Sequence, residues 1–226
     1  MVTDMPENNI ITAYKMILYF AGTMITYEPS KECIIDFWEK GVIRNLPVAS
    51  TNPTFIKASS QLEKSCTNHE RCLKLLTDDY RRLFISKDGG LAPAYESSFS
   101  GNNKDISHKK INVSEYYQSY GWKPKFKKVT EPDHLGVQLL FLTHLIDIYT
   151  ALEDEACRRE MRHEIVWFID NYLLSWLPKW NKKIQDNSIS LCYKGIGNLI
   201  HAVSEDLRTL FTGNNQDLAI TDTIKN

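Results

Sequence analysis

Apolar positions along the chain recur every three or four residues almost throughout, and strict alternation is sustained nowhere. That period belongs to helices that bury one face. From Asn9, a capping type, to Ile25, the residues Ile10, Tyr14, Ile17, Leu18 and Ala21 share a stripe and predict a first helix. Pro29 and Ser30 open a second, with Ile34, Phe37, Trp38 and Val42 at helical spacing. A third begins near Asn52-Pro53, where proline suits the first turn. A fourth runs from about Asn68 to Ile85 on Cys72, Leu73, Leu76, Tyr80, Leu83 and Phe84.

The period then fails. Residues 86–112, SKDGGLAPAYESSFSGNNKDISHKKIN, carry Gly89, Gly90, Pro93 and Gly101 and no sustained repeat. A connection of that length is uncommon inside a compact domain and is usually functional or disordered. A short helix, VSEYYQSY, follows and ends at Gly121, and a second loop, GWKPKFKKVT, leads to the tetrapeptide EPDH. Three long helical stretches complete the pattern: Pro132 to about Thr150, Glu155 to Leu177 with Pro178 as its stop, and Ser190 to Phe211. The expected fold is all-α, a bundle-like domain over residues 1–212 with two long central loops, followed by a polar, frayed tail at 213–226.

Composition narrows this picture without redirecting it. A chain of 226 residues with 42% hydrophobic and 24% charged residues can bury a sizeable core as one large domain. The net charge of -1 supplies no global field for nucleic acid or an anionic membrane. Five cysteines without a CxxC spacing suit reduced thiols. Cys66, His69 and Cys72, placed on one helix, point in different directions, so no metal site is predicted. The apolar stretch near the N-terminus lacks a basic flank and is interrupted by Lys15, so neither a signal peptide nor a spanning helix is read there. A soluble, cytoplasmic protein is expected.

Candidate chemistry concentrates at Glu131, Pro132, Asp133 and His134. Thr130 and Asp133 are spaced like a capping box, Pro132 suits a first turn, and both acidic residues suit the positive end of a helix dipole. Helix initiation therefore accounts for everything except His134. An Asp-His pair can move protons, but no GxSxG, HExxH or P-loop sequence accompanies it, and no catalytic role is predicted. The alternative site is the loop at 122–128, where Lys123, Lys125, Lys127 and Lys128 interleave with Trp122 and Phe126 as in a phosphate or nucleic-acid patch. A solvated lysine loop explains the same residues, and no nucleic-acid partner is expected.

Several ordered motifs carry a resemblance. Leu83-Phe84 ends a helix. Pro93, Tyr95 and Ser97 come next in a P-x-Y-x-S loop, a Tyr-rich helix runs from Tyr116 to Gly121, and EPDH starts the next helix. Trp176, Pro178, Trp180 and Tyr193 lie further on. Over about residues 70–210 this order resembles the TorD/DmsD family of redox-enzyme maturation chaperones. Ser86 and the KDGG after it depart from the family's usual helix end, which bears on the particular signal peptide accepted and not on membership. The resemblance implies an all-helical cytoplasmic protein that is not an enzyme. It implies as partners the apo-form of a molybdopterin-containing reductase or dehydrogenase subunit and that subunit's twin-arginine signal peptide. It implies no resident cofactor, leaves GTP binding open, and leaves monomer and domain-swapped dimer both open.

On this reading the signal-peptide site comprises Glu131, Pro132, Asp133, His134, Tyr95, Glu96, Ser97, Phe99, Leu83 and Phe84. Carboxylates would take forked hydrogen bonds from guanidinium groups, and the aromatic and aliphatic side chains would line a groove for the apolar run. Plain core packing is the competing account of Leu83 and Phe84.

Overall fold

Helices start where the sequence offers a side chain able to accept a first-turn N–H. Asn52 accepts from Thr54 N at 2.9 Å, Asn112 from Ser114 N at 2.9 Å, Asp154 from Cys157 N at 2.8 Å and Ser190 from Tyr193 N at 3.1 Å. The computed structural model describes residues 7–35, 37, 46–66, 69–86, 89–99, 112–124 and 131–213. In chain order the helices are α1 (Glu7–Thr26), α2 (Lys31–Ile34), α3 (Pro53–Glu63), α4 (His69–Tyr80), α5 (Val113–Ser119), α6 (Leu135–Ala151), α7 (Glu155–Phe168), α8 (Leu177–Asn187) and α9 (Leu191–Thr212). No strand occurs among the described residues, so the fold is all-α as expected.

Two helices form the centre. α6 is buried over most of its surface, which is why its apolar residues run round the helix, whereas α9 buries most of its residues and keeps one polar stripe. α1 packs chiefly on α6, and α3, α7 and α8 pack on α9. Small residues allow the close approaches. A Cβ at Gly136 would lie 2.0 Å from Thr26 Oγ1, and one at Gly195 would lie 2.7 Å from Leu62 Cγ.

Four expectations need correction. α1 begins at Glu7, two residues ahead of the predicted cap Asn9. The second predicted helix is described only as α2, and Trp38 and Val42 lie outside the described residues. The stretch from Glu155 is not one helix stopped by Pro178. α7 passes into a π-helical turn at Ile169–Leu173, the chain breaks at Trp176, and Pro178 sits in the first turn of α8, where its missing N–H costs nothing. The stripe Leu177, Trp180, Asn181 and Ile184, all buried, belongs to that separate helix. α6 starts at Leu135 and not at Pro132. Finally, Cys66 and Cys72 do not diverge along one helix. Cys66 lies in the connection after α3 and Cys72 in α4; their Cα atoms are 5.7 Å apart and the two are joined as a disulfide.

A second π-helical turn, Arg81–Ile85, continues α4. Its extra residue changes the phase of the helix, so that Leu83 is wholly buried while Ile85 stands 59% exposed. Just upstream, Asp79 is fully buried and accepts from Ile189 N (3.1 Å), Ser190 N (2.9 Å), the Ser188 hydroxyl (2.7 Å) and Arg82 (3.2 Å). Burial opposes the charge. The hydrogen bonds from Ser190, Ser188 and Ile189 outweigh it and hold the carboxyl below its ordinary range. Arg82 also donates to the Asn187 carbonyl, so the α8–α9 turn is fastened to the end of α4 from both sides.

Asp79→Ala strands the Ile189 and Ser190 N–H donors of the turn and takes from Arg82 its carboxylate partner. It is expected to destabilise the protein by about 3 kcal/mol or more, the scale of a broken buried polar network. A urea midpoint shift equivalent to less than about 0.5 kcal/mol, the range of an ordinary surface change, would show that the turn is held by packing alone.

Candidate functional site

The tetrapeptide EPDH is a β-turn and not the first turn of a helix. His134 N donates to Glu131 O at 3.2 Å, with Pro132 at the second position, where its fixed φ fits. Tyr117 of α5 donates its hydroxyl to the Pro132 carbonyl at 2.9 Å and holds the turn from outside. The capping partner expected for Asp133, Thr130, lies outside the described residues.

The helix cap is His134. Its backbone is extended (φ -69°, ψ 132°), and its Nδ1 accepts from Gly136 N at 3.1 Å, satisfying one of the free donors at the start of α6. The residue that capping seemed not to need is the one that supplies it. The imidazole is only 5% exposed and meets the Tyr95 ring edge-on, with centroids 5.0 Å apart. Burial drives its pKa down to about 4 against the opposing pull of Asp133 and Glu131. The ring is therefore neutral at pH 7. With Nδ1 accepting, its proton resides on Nε2.

Freed from capping, Asp133 reaches across to the first loop. Its Oδ2 accepts from Ser97 N at 3.1 Å, and its backbone carbonyl accepts from Glu96 N at 3.1 Å. Leu135 N donates to Ala94 O at 2.7 Å, and Tyr95 and His134 form an antiparallel bridge. Two loops remote in sequence are thus stitched by main chain at the point where α6 begins. The first loop is tied at its other end as well: Leu91 N and Ala92 N donate to the carbonyls of Arg82 and Leu83, at 3.2 and 3.0 Å. Gly90 makes that return possible. Its φ is +86°, and a Cβ there would fall 2.2 Å from Leu83 O.

The structure brings together seven of the ten residues expected at the site. Tyr95, Glu96, Ser97, Glu131, Asp133 and His134 surround the stitched loops, and Pro132 sets their turn. Glu131 is exposed and Asp133 half-buried. Burial, then the charges of Glu131 and Asp133, raise the Tyr95 hydroxyl above its ordinary range. Leu83 goes elsewhere, wholly into the core. Phe84 packs edge-on against Tyr80 and Tyr193, with centroids 5.2 and 5.6 Å away. Phe99 lies on Trp176 with Lys183 over its ring. In the alternative loop, Trp122 packs on Tyr117 and Phe141 and Lys123 is exposed, while Lys125, Phe126, Lys127 and Lys128 lie outside the described residues.

Sequence reasoning passed over Gln138, one turn into α6. It is wholly buried, and its Nε2 donates to Glu96 Oε2 at 2.7 Å. A glutamine four residues after the histidine, on an otherwise apolar helix face, was the available signal.

The depressed pKa of His134 makes stability depend on pH with a definite sign. The unfolded chain takes up the proton near pH 6.5 and the folded chain only near pH 4, so stability is full above about 6.5 and falls as pH drops to about 4. The loss is on the order of 3 kcal/mol. His134→Asn, which keeps a capping oxygen, is expected to flatten this slope, and His134→Ala to lose about 1 kcal/mol of capping besides. Urea titrations from about pH 4 to 7 that superimpose for wild type and His134→Asn would rule out this role.

A family model described as "Nitrate reductase delta subunit" matches residues 51–182, more than half of the chain, and includes both stitched loops. Three proteins named "Chaperone protein TorD" align with it. That of Vibrio parahaemolyticus serotype O3:K6 (strain RIMD 2210633) is 32% identical over 109 residues, 48% of this chain and 51% of the relative. That of Psychrobacter sp. (strain PRwf-1) is 29% identical over 147 residues, 62% of this chain and 64% of the relative. That of Vibrio atlanticus (strain LGP32) is 28% identical over 130 residues, 56% of this chain and 60% of the relative. The match therefore spans less than two thirds of each relative's length. A solved structure described as a putative redox enzyme maturation protein from Archaeoglobus fulgidus aligns with a TM-score of 0.42 at 17% identity, over 87% of this chain and 91% of that one. From the family model and the named relatives together, the chain belongs to the nitrate reductase delta subunit family, that of the TorD redox-enzyme maturation chaperones.

Proposed function

We propose that this protein is a cytoplasmic chaperone of molybdoenzyme maturation, binding the twin-arginine signal peptide of a molybdopterin oxidoreductase subunit while that subunit awaits its cofactor. The molybdenum cofactor belongs to the client in this reading, and the chaperone performs no chemistry on it. The observation that carries the proposal is the acidic turn itself. Asp133 is aimed by Ser97 N, and Glu131 and Glu96 lie on the same two stitched loops. Guanidinium groups match carboxylates with paired, charge-assisted hydrogen bonds, and two consecutive arginines ask for more than one such acceptor. The neutral His134 adds no repulsion to an arriving cation.

The relatives' names support the chaperone role, and the grouping of carboxylates on the stitched loops supports a cation-recognition element there. An acid-base reading gains nothing from the structure, because His134 Nδ1 is occupied by the helix cap and the ring is buried.

Calorimetric titration with a synthetic peptide carrying two adjacent arginines and an apolar run tests the proposal. Asp133→Asn is expected to weaken binding by roughly 1.5–3 kcal/mol, the scale of a hydrogen bond to a charged group. Its melting temperature should hold, because the amide oxygen still accepts from Ser97 N. Undiminished affinity in the folded variant, or no binding by the wild type, would overturn the reading.

A further inference from the structure

Side chains of α8 hold the first loop near both of its ends. Trp180 Nε1 donates to the Ala92 carbonyl at 3.3 Å, and the Phe99 ring lies on Trp176 with centroids 5.4 Å apart. Both tryptophans are buried. Lys179 and Lys183 each stand three residues after one of them, so they rise on the neighbouring row of the helix surface, beside the loop. Both are exposed, as is Lys182, which is paired with Asp186 at 2.8 Å. Lys179 and Lys183 have no ion pair or hydrogen bond among the described residues. The Lys183 ammonium lies over the Phe99 ring instead, 5.2 Å from its centroid.

Two unpaired cations thus border the turn that carries Glu131 and Asp133. The chain keeps the two sets of charge close. Ser97, whose N–H holds Asp133, is two residues before Phe99, and the 3-10 turn Glu96–Ser98 advances only about 2 Å per residue. Exposed charges act on one another over about 8–10 Å at ordinary ionic strength. An arriving pair of arginines therefore gains from the acidic turn and loses to the lysines. Lys179 is costly to the fold as well, since it stands in the first turn of α8, at the positive end of the helix, where no acidic residue accompanies it. A carboxylate on the ligand, next to its arginines, reverses the sign of both costs. The lysines are already exposed, so nothing has to move to admit it.

We infer that Lys179 and Lys183 form a second subsite of the recognition surface, for an acidic side chain of the same bound peptide, so that arginine pairs with an acidic flank are selected and those with a basic flank rejected. The inference rests on the signal-peptide reading above and deepens it. Phe99 is the platform between the two subsites, fixed from below by Trp176. The sign of the flank preference separates this reading from the acidic turn acting alone. Carboxylates without the lysines would favour a basic flank and disfavour an acidic one.

The test uses the full chain and synthetic peptides that share an arginine pair and an apolar run. The residues immediately before the pair, or immediately after it, are glutamate, glutamine or lysine. On one of the two sides, wild-type affinity is expected to fall in the order glutamate, glutamine, lysine, by about threefold per step, the scale of an exposed ion pair. The spread should shrink at about 0.5 M salt, where screening is strong. The double variant Lys179→Gln, Lys183→Gln is expected to reverse the order, because only the acidic turn remains, with its melting temperature held. Lys179→Gln alone should reduce the spread about twofold and serves if the double variant does not fold. Wild-type chain that binds the lysine-flanked peptide best, or all three equally on both sides, overturns the inference. So does a folded double variant that keeps the wild-type order. The signal-peptide reading survives either result if Asp133→Asn still weakens every peptide, and wild-type chain that binds none of them removes both.

Discussion

The site depends on a main-chain constraint: residues 94–97 and 131–135 have to lie antiparallel at the entrance to α6. A pairing this short is not stable by itself. It persists because each side is fixed independently. The first loop hangs from the carbonyls of the turn at Arg81–Ile85, and the second is closed as a β-turn, capped by His134 and held by the Tyr117 hydroxyl. Asp79 fixes the α8–α9 turn against the end of α4 and so secures the base of the first anchor. Removing either anchor leaves the other loop nothing to pair with, which makes the acidic surface a cooperative product of helices that contribute no residue to it.

Polar side chains inside the bundle set which helices meet. Tyr14 of α1 donates to Asp206 of α9 at 3.1 Å, and Asn52 at the head of α3 donates to Glu205 and Asp206 at 3.0 Å each. Asn181 of α8 donates to Asn198 of α9 at 2.9 Å, and Asn198 in turn donates to Gln61 of α3 at 2.8 Å. Apolar faces alone tolerate sliding and rotation, whereas a buried amide pair is satisfied in one register only. The same logic separates these networks from Gln138, whose second polar atom is left over.

The helices were legible because their signals are local. Periodicity and capping residues placed α3, α5 and α9 to within a residue or two, and Gly121 ended α5 with φ +62°. The failures came where two local rules compete or where the partner is distant. Pro178 reads equally as a stop and as a first-turn residue, and only Leu177, Trp180 and Ile184 around it choose between them. EPDH fits a helix start by charge and by proline, but Asp133 is claimed by Ser97, 36 residues away, which no local rule anticipates. Cys66 and Cys72 diverge on any single helix and meet because Cys66 lies outside α4. Likewise, the grouping of Glu96 with Asp133 arises from pairing between loops remote in sequence, while Leu83 is a core residue by tertiary position and Phe84 packs half-buried against that core.

The turn at Arg81–Ile85 also determines where this chain can change length over evolutionary time. Each helical residue rotates the chain beyond it by about 100°. A single deletion there would regularise the turn and swing the carbonyls of Arg82 and Leu83 away from Leu91 and Ala92, unseating the loop that carries Tyr95 and Glu96. α5, by contrast, restarts from its own cap at Asn112 and does not take its phase from that turn. Homologous sequences should therefore keep an invariant count of residues from Asp79 to Tyr95, a turn without a recognition residue being the segment least free to vary in length.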